Sequence, residues 1–176
     1  MKKWIVLGAA LSFSVSAWAH HDGTDHDHDH SHQAHGQHES IPAATFDKAT
    51  LNNRVHIDQC WVRLLPGTVP SAAYFVVNNQ GQDDVALIGA RSPAYDDVMV
   101  HETTQKDGMS HMGHTASVAI AAGQSVSFEP GGLHVMLEQA NQALQQGGTI
   151  DLELLYEDHS KSVTTCQLRS PKTQAY

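Results

Sequence analysis

An all-β sandwich is the fold class this sequence predicts, and two observations carry it. From Ile41 onward the apolar residues fall in short runs, several of them alternating with polar residues, the period-two pattern of a strand with one buried face. Between the runs sit clusters of Gly, Pro, Asn and Asp, residues that set turns by tolerating positive φ or by fixing it. Many short strands separated by frequent turns build sandwiches.

In chain order the runs predict strands over 55–65 (VHIDQCWVRLL), 72–78 (AAYFVVN), 84–91 (DVALIGAR), 97–103 (DVMVHET) and 117–120 (SVAI). Further strands follow over 125–128 (SVSF), 133–138 (LHVMLE), 149–157 (TIDLELLYE) and 161–168 (KSVTTCQL). The turn signals between them include Pro66-Gly67, Asn78-Asn79-Gln80-Gly81, Ser92-Pro93, Ala122-Gly123, Pro130-Gly131-Gly132 and Gly147-Gly148. The Gly-rich stretch 106–116 (KDGMSHMGHTA) reads as a loop, and 139–146 (QANQALQQ) suits a single helical turn. No internal repeat is visible.

Ahead of this domain the chain opens MKKWIVLGAALSFSVSAWAH. Lys2 and Lys3 precede a largely apolar stretch, and Ala17-Trp18-Ala19 has the small-x-small form that a signal peptidase cuts. The apolar run is shorter than the roughly 20 residues that span a bilayer. Residues 1–19 thus read as a cleavable secretory signal, the alternative being an uncleaved anchor, and no later segment is apolar enough to span.

Eight histidines crowd residues 20–40: His20, His21, His26, His28, His30, His32, His35 and His38. A segment this polar has nothing with which to build a core, so it reads as a disordered tail. Its imidazoles suit borderline divalent ions such as Cu(II), Zn(II) or Ni(II). The expected organisation is a signal over 1–19, the tail over 20–40, the β-sandwich over 41–171 and a C-terminal tail over 172–176.

Lys and Arg number 10 against 19 Asp and Glu, a formal charge of −9. No basic patch suited to nucleic acid is present, which sets that class aside. The two cysteines, Cys60 and Cys166, read as a disulfide in an exported chain, with a thiolate copper ligand as the rival reading.

The chemistry lies in two strands and the stretch between them. In 133–138, Leu133, Val135 and Leu137 alternate with His134 and Met136; in 97–103, Val98 and Val100 alternate with Met99 and His101. Each strand therefore turns an imidazole and a thioether away from its apolar face. Between them, 106–116 offers Met109, His111, Met112 and His114 among Gly and Ser, a setting in which methionine gains little from burial. Thioether sulfur and imidazole nitrogen together suit a soft ion such as Cu(I), whereas Mg(II) and Ca(II) require oxygen donors. Thioethers do not protonate in water, so half such a donor set survives when acid removes the imidazoles.

His101, Met112, His134 and Met136 are spaced H-x10-M-x21-H-x-M. This pattern resembles the motif of the periplasmic copper chaperone family PCu(A)C. The likeness runs over about 55–157 and includes Trp61-Val62-Arg63, Ala72-Ala73-Tyr74, His101-Glu102-Thr103 and Pro130-Gly131-Gly132. The resemblance implies a cupredoxin-like, Greek-key β-sandwich in the periplasm, binding Cu(I) through those four residues. It also implies delivery of copper to an acceptor, either the copper centre of cytochrome c oxidase or another copper chaperone serving it. The cysteines, Met99, Met109, His111 and His114 and the tail histidines stand outside the motif. The methionines and histidines among them are candidate auxiliary ligands, and a second copper, as Cu(II), is expected at the tail. The chain is expected to act as a monomer.

Other function classes fit less well. An electron-transfer cupredoxin needs Cys, His and Met closely grouped, yet only QLRSPKTQAY follows Cys166. An enzyme needs a nucleophile or acid-base set that no residues here supply, and Cys-x-x-Cys is absent. The true rival is a metal buffer or resistance protein that sequesters copper or zinc with no dedicated acceptor.

Overall fold

The computed structural model describes residues 41–175. The signal over 1–19, the tail over 20–40 with its eight histidines, and Tyr176 lie outside the described residues. Helix α1 (Ala43–Lys48) is followed by β1 (Thr50–Leu51), β2 (Val55–Arg63), β3 (Ser71–Asn79), β4 (Val85–Arg91) and β5 (Tyr95–Lys106). Then come β6 (Met109–His114), β7 (Val118–Ile120), β8 (Ser125–Phe128), β9 (Leu133–Ala140), β10 (Thr149–Tyr156) and β11 (Ser160–Arg169).

The strands form one hydrogen-bonded path, β6-β5-β9-β3-β2-β11-β10-β4-β7, with β1 joined to β11 and β8 to β3. Neighbours along it are antiparallel except β2 with β11, and β1 with β11 is also parallel. The path folds over so that β4 packs against β5. Its inner face buries Val62, Ala73, Val135 and Leu137 from one half, with Leu87, Leu152, Leu154 and Tyr156 from the other. This is the all-β fold the alternation implies, and β9 shows why: Val135 and Leu137 are fully buried in the core while Met136, between them, faces the other way.

Two stretches differ from the sequence expectation. Residues 106–116 do not form a loop: Met109–His114 is strand β6, paired with β5 from His101↔His114 through Lys106↔Met109. The reason is the Asp107-Gly108 pair, with φ of +53° and +76°, the two left-handed residues of a tight hairpin whose twist matches the strands it joins. Residues 139–146 do not form a helical turn: Gln139 and Ala140 finish β9, and a non-helical connection follows to Gly147. The short helix α1 has no counterpart in the sequence reading. It exists because Phe46 is buried at its centre and because Arg91 holds it, reaching Asp47 at 2.8 Å and lying 4.9 Å over the Phe46 ring.

Cys60 on β2 and Cys166 on β11 form a disulfide, Cα atoms 4.5 Å apart and 106 residues apart in sequence. Closing a loop that long stabilises the fold by about 4 to 5 kcal/mol in the chain-entropy model. It ties the β2-β11 junction, one strand removed from the β3-β9-β5 region that carries the soft donors.

Candidate metal centre

Strands β9, β5 and β6 lie side by side, and their registers set the donors on one face. Across β5 and β9, Met99 is opposite Met136 and His101 opposite His134. Across β5 and β6, His101 is opposite His114 and Thr103 opposite Met112. Directly opposed residues share a face, and so do residues two apart on one strand. His101, His134, Met136, Met112, Met99 and His114 therefore all occupy the face turned away from Val100 and Val135. His101 stands at the middle, with His134 beside it and Met136 and Met112 on opposite diagonals, separations that long side chains bridge.

The imidazoles are held rather than loose. His101 and His134 are 8% and 7% exposed. Their ring centroids lie 5.9 Å apart, near edge-to-face, and the His114 ring lies 6.3 Å from His101 on the other side. His134 Nδ1 is 3.0 Å from the Gly132 carbonyl. A carbonyl only accepts, so Nδ1 is the donor and Nε2 is the nitrogen left for a metal. Fixing the tautomer this way is how a second partner prepares an imidazole for a metal.

Met112, His134, Met136 and Thr103 share a pocket of about 470 Å³ with Tyr74, Arg63 and Ala72. Met136 is half-buried, but Met112 is 58% exposed, so one thioether is packed and the other faces solvent. Among the described residues no group of three His, Cys, Asp or Glu converges to hold an ion. The donors that this face adds beside its imidazoles are the thioethers of Met99, Met112 and Met136.

The auxiliary residues divide. His114 and Met99 join the donor face, although they line a neighbouring groove beside Ile41 and Phe46. Met109 and His111 alternate to the opposite face of β6, opposite Lys106 and Thr104; the hairpin register thus points Met112, not Met109, toward His101. Two wall residues, Arg63 and Tyr74, carried no ligand signal in the sequence. The Arg63 guanidinium donates to the Tyr74 hydroxyl and lies 5.0 Å over its ring. Tyr74 in turn stands 4.6 Å from the Trp61 ring and 6.4 Å from His134. Alternation placed them on a strand face; only the pairing of β2, β3 and β9 brings that face to the donors.

Comparison with known proteins gives a consistent fold. The model of the LpqE-like lipoprotein family matches residues 55–167. A Leifsonia xyli subsp. xyli protein named as a lipoprotein is 31% identical over 123 residues, covering 69% of this chain and 74% of that one. The apo PCuAC domain of PmoF2 superposes with a TM-score of 0.57 at 18% identity, covering 73% of this chain and 98% of that domain. The solution structure of Cu(I)-loaded DR1885 from Deinococcus radiodurans gives a TM-score of 0.55 at 25% identity, covering 74% and 88%.

Proposed function

The chain belongs to the LpqE-like family, and from that premise we propose that it is an exported copper carrier that holds Cu(I) between His101, His134, Met136 and Met112 and surrenders it to an acceptor protein. The observation that carries this reading is the β6-β5-β9 register, which lines two imidazoles and two thioethers along one face. Two buried imidazoles and a half-buried thioether supply a rigid base. The exposed Met112 supplies a donor that an incoming ligand displaces first, as a carrier that must release its ion requires. The likeness to Cu(I)-loaded DR1885 supports the choice of ion.

The finer parts of the reading follow the family resemblance. The acceptor is the copper centre of cytochrome c oxidase or an assembly chaperone for it, the location is the periplasm, and the chain works as a monomer without catalytic chemistry of its own. Residues 1–19 are its signal, 20–40 a tail that holds a second copper as Cu(II), 41–171 the carrier domain and 172–176 a C-terminal tail. The lipoprotein name is that of the matching family and of the relative. Among the described residues no helix is long and apolar enough to cross a membrane.

Cells lacking the protein test the reading directly. Reduced oxidase assembly at limiting copper, restored by the wild-type chain but not by Met112→Leu/Met136→Leu, is the expected outcome. Normal assembly with lowered survival only in excess copper would instead make the protein a buffer.

A further inference from the structure

The pocket beside the donors is built differently from the rest of this acidic chain. In the row that crosses β2, β3 and β9, Arg63 is opposite Ala72 and Ala72 opposite Met136. The small Ala72 leaves a gap between guanidinium and thioether, and that gap is the floor of the 470 Å³ pocket. Its walls are Leu65, Pro70 and Pro171 with the exposed Met112 at the rim. Among the described residues no carboxylate lines it, although acidic residues outnumber basic ones 19 to 10 in the chain. Arg54 pairs with Asp83, Arg91 with Asp47 and Glu153, and Lys161 with Glu153. Arg63 is instead held by a phenol, its guanidinium donating to the Tyr74 hydroxyl. A hydroxyl accepts one of its N–H groups and cancels none of its charge, so the remaining donors keep their attraction for a carboxylate.

We propose that this pocket is where the copper acceptor docks, and that the docking element is an acidic, extended segment whose carboxylate pairs with Arg63 while a neighbouring donor side chain reaches Met112 and Met136. This rests on the copper-carrier reading and adds the chemistry of its partner. Opposite charge at the mouth of a metal site accelerates encounter and sets orientation more than it adds affinity. The arrangement therefore places the recognition group one small residue away from the thioethers that must let go, without making it a ligand. Arg63 is a positioning residue.

Two synthetic peptides with the same central Met and His donors test this, one flanked by Asp and Glu, the other by Ser and Asn. Transfer of Cu(I) from the full chain is followed by stopped flow at low and high salt. The acidic peptide should take copper about tenfold faster at low salt, an advantage that high salt screens. Arg63→Gln, which removes the charge, should abolish that advantage while Cu(I) affinity, measured by competition with a chelator, stays unchanged. Arg63→Lys should restore part of it. Equal rates for the two peptides with wild-type protein, or an acidic advantage that survives Arg63→Gln, would overturn the proposal.

A copper-free readout separates this from the carrier reading. With methyl-labelled methionine, the acidic peptide should shift the Met112 and Met136 signals of the metal-free chain, and Arg63→Gln should remove the shift. Absence of that shift overturns the docking pocket even where Cu(I) binds tightly. A wild-type chain with no Cu(I) affinity overturns the carrier reading whatever the methyl signals do.

Discussion

His101 on β5 and His134 on β9 face each other across the ladder, their rings 5.9 Å apart with planes at 77°. Both are nearly buried on the sheet face opposite the core. Placing two imidazoles there has a cost in desolvation, and each prediction below follows from how the neighbouring strands complete that pair.

Met136 lies beside His134 on the same strand and is half-buried; Met112 reaches in from an exposed strand. Replacing either with Leu keeps the volume and removes the sulfur. Met136→Leu should weaken Cu(I) binding at least tenfold, about 1.4 kcal/mol, and Met112→Leu should also weaken it while speeding copper loss. Met109→Leu, on the opposite face of β6, should change neither quantity. Competition titration checks all three, and an equal loss from Met109→Leu would show that the hairpin register is not the one that binds.

Gly108 sits in the hairpin at φ +76° with open space around it. A side chain there meets no neighbour, so any penalty is backbone strain of about 1 to 2 kcal/mol. Gly108→Val should loosen β6 and lower Cu(I) affinity with little change in the melting temperature of the domain. Combined with Met112→Leu it should add almost nothing, because both changes act through the same donor. A double-mutant cycle on copper affinity reads this coupling.

The bridge between Cys60 and Cys166 is buried at both ends. Replacing both cysteines with Ala should cost about 2 to 5 kcal/mol of stability in denaturant unfolding. The protein that remains folded should still bind Cu(I), since neither sulfur faces the donors. Loss of copper from fully folded double variant would return the cysteines to the list of ligands.

Burial in the core pushes the Tyr156 phenol from 10.0 up to about 12, against the opposing effect of its hydrogen bond to Ser162. The unfolded chain gives up this proton at lower pH than the folded one. The contribution of Tyr156 to stability is therefore whole below pH 10 and is lost as pH climbs to 12. At the acid end the Ser160 hydroxyl and amide hold the Asp158 carboxyl below its ordinary value, so its smaller contribution is present above that value and fades as pH falls. Unfolding midpoints between pH 9 and 12 should drop steeply for the wild type and less steeply for Tyr156→Phe.

The fold and the donor face were largely legible because period two is a rigid constraint. Once Val98 and Val100 are core, Met99 and His101 have no choice of face, and the same holds for His134 and Met136 in β9. What the sequence concealed depends on pairing between distant strands. Residues 106–116 look like a loop because Gly, Ser and His have weak strand preference, yet Asp107-Gly108 closes them into a hairpin on β5. Arg63, Ala72 and Tyr74 read as ordinary strand residues, since nothing local tells that β2 and β3 will lie beside β9. The helix over Ala43–Lys48 forms for a tertiary reason, the seat for Phe46, and six residues carry too little periodicity to announce it.

X-ray absorption at the copper edge, on the full chain carrying one equivalent of Cu(I), tests the central claim most directly. The account expects about two sulfur and two nitrogen neighbours, with both sulfurs gone in Met112→Leu/Met136→Leu. A wild-type spectrum showing nitrogen and oxygen neighbours alone, or one that the double substitution leaves unchanged, would contradict it.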